Sequence, residues 1–170
     1  MVIDIKDFSG KCVCGREHEM YTEAAIIESN ALLNFREYIN KYFPYVKYIT
    51  AIYDENTYNA VADRKIVTEN KIILPSENLH ANETAVGTVL DKLSDKTDLL
   101  VAVGSGTIHD ITRYCAYEKK IPFVSCPTAA SVDGFCSSVA AMTWKGFKKT
   151  FASAAPKLVI ADLEIIKNLQ

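Results

Sequence analysis

The chain has 170 residues, of which 49% are apolar and 24% are charged, and its formal net charge is −2. This length predicts one domain whose core forms without disulfides or a structural metal. The balanced charge argues against a nucleic-acid-binding surface. No apolar stretch is long enough to cross a bilayer. The first residues lack the charged segment followed by an apolar one that is typical of a signal peptide. We therefore expect a cytoplasmic protein that binds neither nucleic acid nor membrane.

The five cysteines predict reduced thiols, because an odd number in a chain of this size is not typical of a secreted disulfide framework. Two of them belong to the segment Cys12-Val-Cys14-Gly-Arg-Glu-His18, which holds three possible zinc ligands. No matching second ligand pair follows at finger-like spacing. We therefore favour a tight turn at Gly15 between two short strands, with zinc binding as the alternative.

From about residue 30 the sequence alternates helical and strand patterns, which is typical of successive βα units. Apolar residues at helical spacing predict a helix over 30–42 that Pro44 ends. A β-branched and aromatic run then extends from Val46 to Asp54. The acidic and amide residues at its end predict an N-cap and a helix over 55–64.

The alternation continues with a strand predicted over 71–74 and a helix over 83–96. The run Leu99–Val103 is apolar throughout, which predicts a central strand covered on both faces. A glycine turn follows, and a helix is expected from there to Lys119.

The last part of the chain predicts two strands, a loop, a hairpin and the start of a helix. In chain order these lie at 121–126 (strand), 127–137 (loop), 139–152 (hairpin with its turn at Lys145-Gly146), 157–161 (strand) and Leu163 (helix start). The whole pattern predicts an α/β domain with a Rossmann-like open, mostly parallel sheet flanked by helices.

Three polar or glycine-rich segments follow predicted strands: Asp54, Gly104–Asp110 and Thr128–Ser137. Open α/β sheets bind ligands at the carboxyl ends of their strands. The glycines of the second segment let backbone N–H groups approach an anion, and the following helix turns its positive end toward the same place, which favours a diphosphate. An ordinary helix start, with Thr107 and Asp110 as a capping box, is the alternative.

Asp54 adds a cofactor preference. A carboxylate at a strand end can accept hydrogen bonds from both hydroxyls of an adenosine ribose but repels a 2′-phosphate, which favours NAD over NADP. In the usual fingerprint the glycines precede the acid by about 20 residues. Here the acid comes first, and His109 stands where the third glycine would fall. The strict fingerprint is therefore absent, although its physical parts are present.

Three segments resemble a known family: Gly104-Ser-Gly-Thr-Ile-His-Asp110, Pro127-Thr-Ala-Ala-Ser-Val-Asp-Gly-Phe-Cys-Ser137 and Ala155-Pro156…Ala161-Asp162. They resemble the glycerol-1-phosphate dehydrogenases, within the iron-containing alcohol dehydrogenase and dehydroquinate synthase superfamily, and the resemblance covers essentially the whole chain. It implies an oxidoreductase that interconverts sn-glycerol 1-phosphate and dihydroxyacetone phosphate with NAD(P), in glycerolipid and phospholipid synthesis. Glycerol dehydrogenase, 3-dehydroquinate synthase and a non-catalytic nucleotide-binding module are the alternatives.

The resemblance also implies roles for single residues. Asp54 would hold the adenosine ribose, and Asp133 would face the substrate. Alternatively, Ser131 and Ser137 only cap turns, Asp133 forms a common turn pair with Gly134, and the Thr128 hydroxyl bonds to its own backbone. Besides Asp54, the positions that the resemblance implies in cofactor binding are Gly104, Ser105, Gly106, Thr107, Ile108, His109, Asp110, Thr128, Ala129, Ala130, Ser131 and Ser137.

A second, helical domain of the family, absent from this sequence, would supply an Asp and two His to a zinc or nickel ion by the same resemblance. His18, His80 and Asp162 do not match those ligands, so we assign no catalytic or metal-binding residue to this chain. We expect residues 1–170 to be the dinucleotide-binding, amino-terminal half of a two-domain enzyme. As a full-length protein it is expected to be a homo-oligomer.

Overall fold

The computed structural model describes residues 1–4, 8–64, 66–130 and 134–168. The strands are β1 (Val2–Asp4), β2 (Gly10–Lys11), β3 (Glu17–His18), β4 (Ala24–Glu28), β5 (Ile49–Asp54), β6 (Asn70–Leu74), β7 (Leu99–Gly104), β8 (Phe123–Pro127), β9 (Val139–Trp144), β10 (Phe147–Ala152) and β11 (Leu158–Asp162). The helices are α1 (Phe35–Tyr42), α2 (Glu55–Ala60), α3 (Glu83–Lys92), α4 (Gly106–Lys119) and α5 (Leu163–Asn168).

Seven of these strands form one sheet in the order β1-β4-β11-β8-β7-β5-β6. All neighbouring strands are parallel except β1 and β4, which pair antiparallel. The predicted α/β fold with a Rossmann-like, mostly parallel sheet is thereby confirmed. None of the described helices has the length and apolar character needed to cross a membrane.

The predicted hairpin is also confirmed. β9 and β10 pair antiparallel from Val139 opposite Ala152 to Trp144 opposite Phe147. The two turn residues, Lys145 and Gly146, both have positive φ, as the tight turns that match the twist of a hairpin require.

The core is divided between the two faces of the sheet. All residues of β7 are buried, and successive side chains of a strand point to opposite faces. Leu99, Val101 and Val103 therefore pack on the face covered by α1, whereas Leu100 and Ala102 pack against α3 and α4. This arrangement confirms the predicted central position of the strand.

Asp162 explains why the helix predicted over 30–42 is shorter than expected. Its buried carboxylate accepts hydrogen bonds from the backbone N–H groups of Asn30 (3.0 Å) and Leu32 (3.2 Å). These bonds hold a 3₁₀ turn at Ala31–Asn34, so the α-helix begins only at Phe35. The expected start was wrong because a carboxylate from a strand more than a hundred residues away captures the local backbone.

Two other predicted helices are also shorter than expected, in these cases because they end early. The helix predicted over 55–64 stops at Ala60 and continues as a 3₁₀ turn at Ala62–Arg64. The helix predicted over 83–96 stops at Lys92, because Leu93 is extended and the chain then turns. The strand predicted from Val46 begins at Ile49. These corrections concern the ends of the elements, and each predicted element is present.

Gly104→Ala tests the packing at the end of β7. A Cβ at Gly104 would lie 2.8 Å from both Cβ and Cγ1 of Ile108, which is anchored close to the helix backbone. We expect the free energy of unfolding, measured by urea denaturation, to fall by about 1–3 kcal/mol through overpacking.

Gly87→Ala is the matched control, since Gly87 lies inside α3 and an added Cβ there meets nothing within 4 Å. It is expected to stabilise the protein by about 0.5–1 kcal/mol through helix propensity. Equal effects of the two substitutions would contradict the packing argument.

Candidate cofactor-binding site

The carboxyl ends of three parallel strands meet at one edge of the sheet. Ile52 of β5 pairs with Ala102 of β7, so Asp54 and Gly104 end their strands at the same level, and Gly104 pairs with Pro127 of β8. β6 lies on one side of β5, and the chain returns to place β7 on the other side. Such a reversal of strand order forms the crevice in which open α/β sheets bind ligands.

The glycine turn brings the start of α4 into this crevice. Because Gly104 has no side chain, Ile108 packs directly against it. Ser105 is the N-cap residue, and its side chain makes no capping hydrogen bond. The capping box considered for Thr107 and Asp110 is therefore wrong, because the helix begins at Gly106. The N–H groups of the first turn lack a side-chain cap and form the positive end of the helix.

A cavity of about 510 Å³ lies beside this turn. It is bounded by the first turns of α4, by the segment 134–139 and by the β9–β10 hairpin. A second cavity of about 420 Å³ shares Thr107 and Asp110 with the first and extends toward Lys148 and Lys149. The two cavities adjoin along the start of α4, and we call them together the groove.

The predicted positions of this turn have different exposures. Ser105, Gly106, Thr107 and Asp110 are partly exposed and line the groove. The side chain of Ile108 is fully buried in the core, so only its backbone N–H can serve a ligand.

Arg113 holds the segment that closes the groove. Its Nη1 donates to the carbonyl oxygens of Ser137 (3.0 Å) and Val139 (2.9 Å), and its Nη2 donates to that of Gly134 (2.6 Å). Its Nε lies 3.7 Å from Oδ1 of Asp110. Arg113 is 1% exposed, so a fully buried guanidinium joins the helix to the segment.

Asp110 places a carboxylate in the groove. Burial raises its pKa, while the Arg113 guanidinium and the backbone N–H of Ala141 act in the opposite direction. Burial likewise lowers the pKa of Arg113, against the attraction of Asp110. The pair therefore sets an anionic and a cationic group side by side at the base of the groove.

His109 is locked in one orientation. Its Nδ1 lies 2.9 Å from the carbonyl oxygen of Ser105, which can only accept, and its Nε2 lies 2.7 Å from Oγ of Ser125. The neutral ring therefore carries its proton on Nδ1 and accepts from the Ser125 hydroxyl. Burial lowers its pKa to about 4, and the nearby Arg113 acts in the same direction. The ring contacts the wall of the groove and fixes the start of α4.

Asp54 is the N-cap of α2, as the sequence predicts. Its Oδ1 accepts from the N–H of Thr57 (2.8 Å), and the Thr57 hydroxyl oxygen accepts from the N–H of Asp54 (3.1 Å). The side chain is partly exposed at the crevice. The capping hydrogen bond thus engages one of the two carboxylate oxygens of Asp54.

The predicted loop after β8 is described only in part. Thr128 is buried and donates its N–H to the carbonyl oxygen of Gly104 (3.0 Å), Ala129 is partly exposed and Ala130 is exposed. The Ser137 Oγ accepts from the N–H of Val139 (3.1 Å), which is a turn contact, and Ser137 also lines the groove. The predicted positions Ser131 and Asp133 lie outside the described residues.

Sequence reasoning missed Arg113 and Ser125. Arg113 lies among positions that the helical pattern buries, beside Ile111 and Cys115, and three residues after Asp110. A lone cation on a buried helical face, at the spacing of an ion pair, is the signal that could have identified it. Ser125 has no comparable signal, because a serine within a buried strand does not reveal its partner.

The described residues at this edge do not assemble a metal site. The one group of three or more candidate ligands in the described ranges is Cys12, Cys14 and His18, on the β2–β3 hairpin. The zinc or nickel ion that the family resemblance implies therefore has no ligand set among the described residues of this groove.

His109→Gln is expected to flatten the acid dependence of stability. The folded state holds His109 with a pKa near 4, whereas an unfolded histidine titrates near the ordinary value of 6.5. Between these values the unfolded state binds more protons, so stability falls as the pH drops from about 6.5 to about 4, by up to about 3 kcal/mol.

Urea unfolding at a series of pH values measures this loss. Exposed His80 supplies the control variant, His80→Gln, which should keep the wild-type pH dependence. An unchanged slope in His109→Gln would show that His109 is not buried in its neutral form.

Arg113→Lys is expected to release the segment 134–139. A lysine cannot reproduce the forked contacts to three carbonyl oxygens, so partly buried acceptors lose their partners, and the free energy of unfolding should fall by about 2–4 kcal/mol. Hydrogen exchange of the backbone N–H of Val139 should accelerate.

Arg36→Lys is the control, because Arg36 makes only an exposed ion pair with Glu69 and its loss should cost less than about 0.5 kcal/mol. Equal effects of the two variants would contradict the assigned role.

A family model described as "Iron-containing alcohol dehydrogenase" matches residues 26–169. The chain is 37% identical to a protein of Bacillus licheniformis named glycerol-1-phosphate dehydrogenase [NAD(P)+], over 95% of this chain and 43% of that protein. A protein of the same name from Geobacillus stearothermophilus is 33% identical, over 96% of this chain and 43% of its own length. The chain therefore spans less than half the length of these curated relatives.

Among solved structures, the glycerol dehydrogenase of Schizosaccharomyces pombe superposes with a TM-score of 0.71 at 22% identity, covering 84% of this chain and 37% of that protein. This likeness concerns the fold. The family-model match, over most of the chain, together with the two curated relatives, places the chain in the iron-containing alcohol dehydrogenase family.

Proposed function

We propose that residues 1–170 form the dinucleotide-binding half of a two-domain dehydrogenase that interconverts sn-glycerol 1-phosphate and dihydroxyacetone phosphate with NAD(P). One observation carries this proposal. The first turn of α4, without a side-chain cap, and the carboxylate of Asp54 lie at the same edge, where the strand order reverses. The names of the two curated relatives supply glycerol 1-phosphate and NAD(P)+, and oxidation of the secondary hydroxyl of glycerol 1-phosphate yields dihydroxyacetone phosphate.

The start of α4 fits a diphosphate. Its N–H groups and the positive end of the helix offer hydrogen bonds and charge complementarity to an anion. The glycines keep side chains away from the approach, and Ser105 and Thr107 add hydroxyl groups at the rim of the groove. The ligand would approach along the groove, in which Gly106 and Thr107 are partly exposed.

Asp54 fits an adenosine ribose on the other side of Gly104. With Oδ1 engaged by Thr57, the second oxygen accepts a ribose hydroxyl. A 2′-phosphate would place negative charge against this carboxylate. We therefore propose that NAD binds more tightly than NADP.

When bound, NAD(P) supplies the hydride acceptor or donor. The chain's own residues position it: Arg113 fixes the segment 134–139 over the groove, and His109 fixes the first turn of α4. We propose that Thr128, Ala129, Ala130, Ser131 and Ser137 line the cofactor and that Asp133 faces the substrate. The zinc or nickel ion is proposed to bind in the other domain, and we derive no step through it.

A non-catalytic nucleotide-binding module is the second candidate. The observation behind it is that the described residues of the groove hold no set of three metal ligands. It differs from the main proposal in turnover but not in cofactor binding.

NADH binding should quench the emission of Trp144. This is the only tryptophan of the chain, and it lies in the hairpin that borders the groove. Saturable quenching by energy transfer is expected, and its absence would contradict a cofactor site in this chain.

Turnover of NADH with dihydroxyacetone phosphate, measured on the longest natural protein that carries the chain, separates the two candidates. Binding without turnover in the metal-loaded protein would leave only the binding module.

Asp54→Asn tests the ribose contact. Asparagine keeps the N-cap of α2 but removes the charge, and loss of a charge-assisted bond of about 1.5–3 kcal/mol lowers NADH affinity relative to NADPH affinity by about tenfold or more. Fluorescence titration measures both affinities. Asp98→Asn is the control, because Asp98 accepts the N–H groups of Lys47 and Tyr48 before β5 begins, at the opposite edge of the sheet. An unchanged affinity ratio in Asp54→Asn would exclude the contact.

A further inference from the structure

We propose that Cys12, Cys14 and His18 form a zinc-binding site on the β2–β3 hairpin, separate from the cofactor groove. From the sequence, a plain turn at Gly15 is favoured over zinc. The structure confirms that turn between two short strands and also brings the three side chains together.

The ligand atoms are spaced as a metal ion requires. Sγ of Cys12, Sγ of Cys14 and a ring nitrogen of His18 all lie within 4.8 Å of one another, and Sγ of Cys14 is 3.2 Å from Nε2 of His18. Tetrahedral zinc, with bonds of about 2.3 Å to sulfur and about 2.0–2.1 Å to nitrogen, separates its ligand atoms by roughly 3.6–3.8 Å. Small side-chain rotations bring the three atoms to this spacing.

The backbone holds the ligands in this arrangement. The N–H of Cys12 donates to the carbonyl oxygen of Arg16 (2.9 Å), and the N–H of Gly15 donates to that of Cys12 (3.0 Å). Gly15 has a φ of +80°, which a side chain would strain. The strand register then sets His18 opposite Gly10, two residues before Cys12. Because residues two apart in a strand share a face, Cys12 and His18 lie on the same face of the hairpin.

The hairpin has no hydrophobic core of its own. Every residue from 11 to 20 is exposed, including Val13, which makes no apolar contact that reduces its exposure. A two-stranded hairpin is marginally stable in water, and small units without a core are commonly held by a metal or a disulfide. A bound zinc ion supplies the missing stabilisation, because binding energy becomes folding energy.

The donor set determines which ion binds and how charge balances. Two thiolates and a neutral imidazole compensate the two positive charges of Zn²⁺, and the thiols release two protons on binding. Sulfur and imidazole ligands select zinc over magnesium or calcium. Three protein ligands leave the fourth tetrahedral position to water, as in zinc sites that keep an open position.

Zinc content measured by mass spectrometry tests the proposal on the 170-residue chain, purified under reducing conditions and dialysed against buffer with trace zinc. We expect about one equivalent of zinc per chain, as one tetrahedral site requires. Cys12→Ser, Cys14→Ser and His18→Gln should each lower this content several-fold. Cys136→Ser should not, because Cys136 packs against Ala25 and Val159 instead.

Cobalt binding provides a second measurement, which does not depend on whether zinc stays bound during purification. Co²⁺ added to the reduced chain should produce thiolate-to-metal charge-transfer absorption that both cysteine variants lose and Cys136→Ser keeps. Circular dichroism of the variants should match the wild type, because the hairpin lies outside the core.

Three results would overturn the proposal: no zinc and no charge-transfer band in the reduced wild type, equal zinc in all variants, or loss of two thiols to a Cys12–Cys14 disulfide under the same reducing conditions. None of these results bears on NADH quenching, so the zinc site and the cofactor site succeed or fail separately.

Discussion

The contact between Ile108 and the bare Cα of Gly104 is the constraint on which the candidate site depends. An added methyl group at Gly104 would lie 2.8 Å from the Ile108 side chain, so α4 can leave β7 at this angle only where no side chain intervenes. The first turn of α4 therefore begins at the level where β5 and β7 end, beside the crevice that the reversal of strand order forms. A helix start that points into such a crevice meets its ligand with N–H groups and a positive dipole end.

The buried charges of α4 extend this constraint into the neighbouring segment. Removing a guanidinium from water is costly unless its donors are satisfied, and Arg113 satisfies two of its nitrogens with the carbonyl oxygens of Gly134, Ser137 and Val139. The segment that covers the groove is therefore positioned from the helix. His109 lies one turn before Arg113 on the same face of the helix and bonds to Ser105 and Ser125. One helix thus provides the anion-binding end, anchors the covering segment through Arg113 and ties its own first turn to β8 through His109.

The sequence is sufficient to predict the architecture, and it indicates where the candidate site lies. β7 was predicted as a central strand because it is apolar at every position, and Asp54 as an N-cap because an acidic residue follows a β-branched run. The helix ends were less predictable. Asp162 captures the N–H groups of Asn30 and Leu32 from across the chain, and no local pattern encodes that contact.

The contacts inside the site were also beyond local pattern. Gly104 was identified as a turn residue, but its role in admitting Ile108 depends on the packing of α4 against the sheet. Arg113 was overlooked because its partners are backbone carbonyl oxygens, which carry no sequence identity. Cys12, Cys14 and His18 were seen as ligand types, whereas their convergence depends on the fold of the hairpin.

The proposed cofactor site depends on the binding of the diphosphate by the first turn of α4. Backbone amide chemical shifts of the isotope-labelled chain, followed during titration with NADH, test it most directly. We expect the amides of Gly106, Thr107 and Ile108 to shift most and to saturate together. Saturation with the largest shifts elsewhere, and none at these three amides, would contradict it.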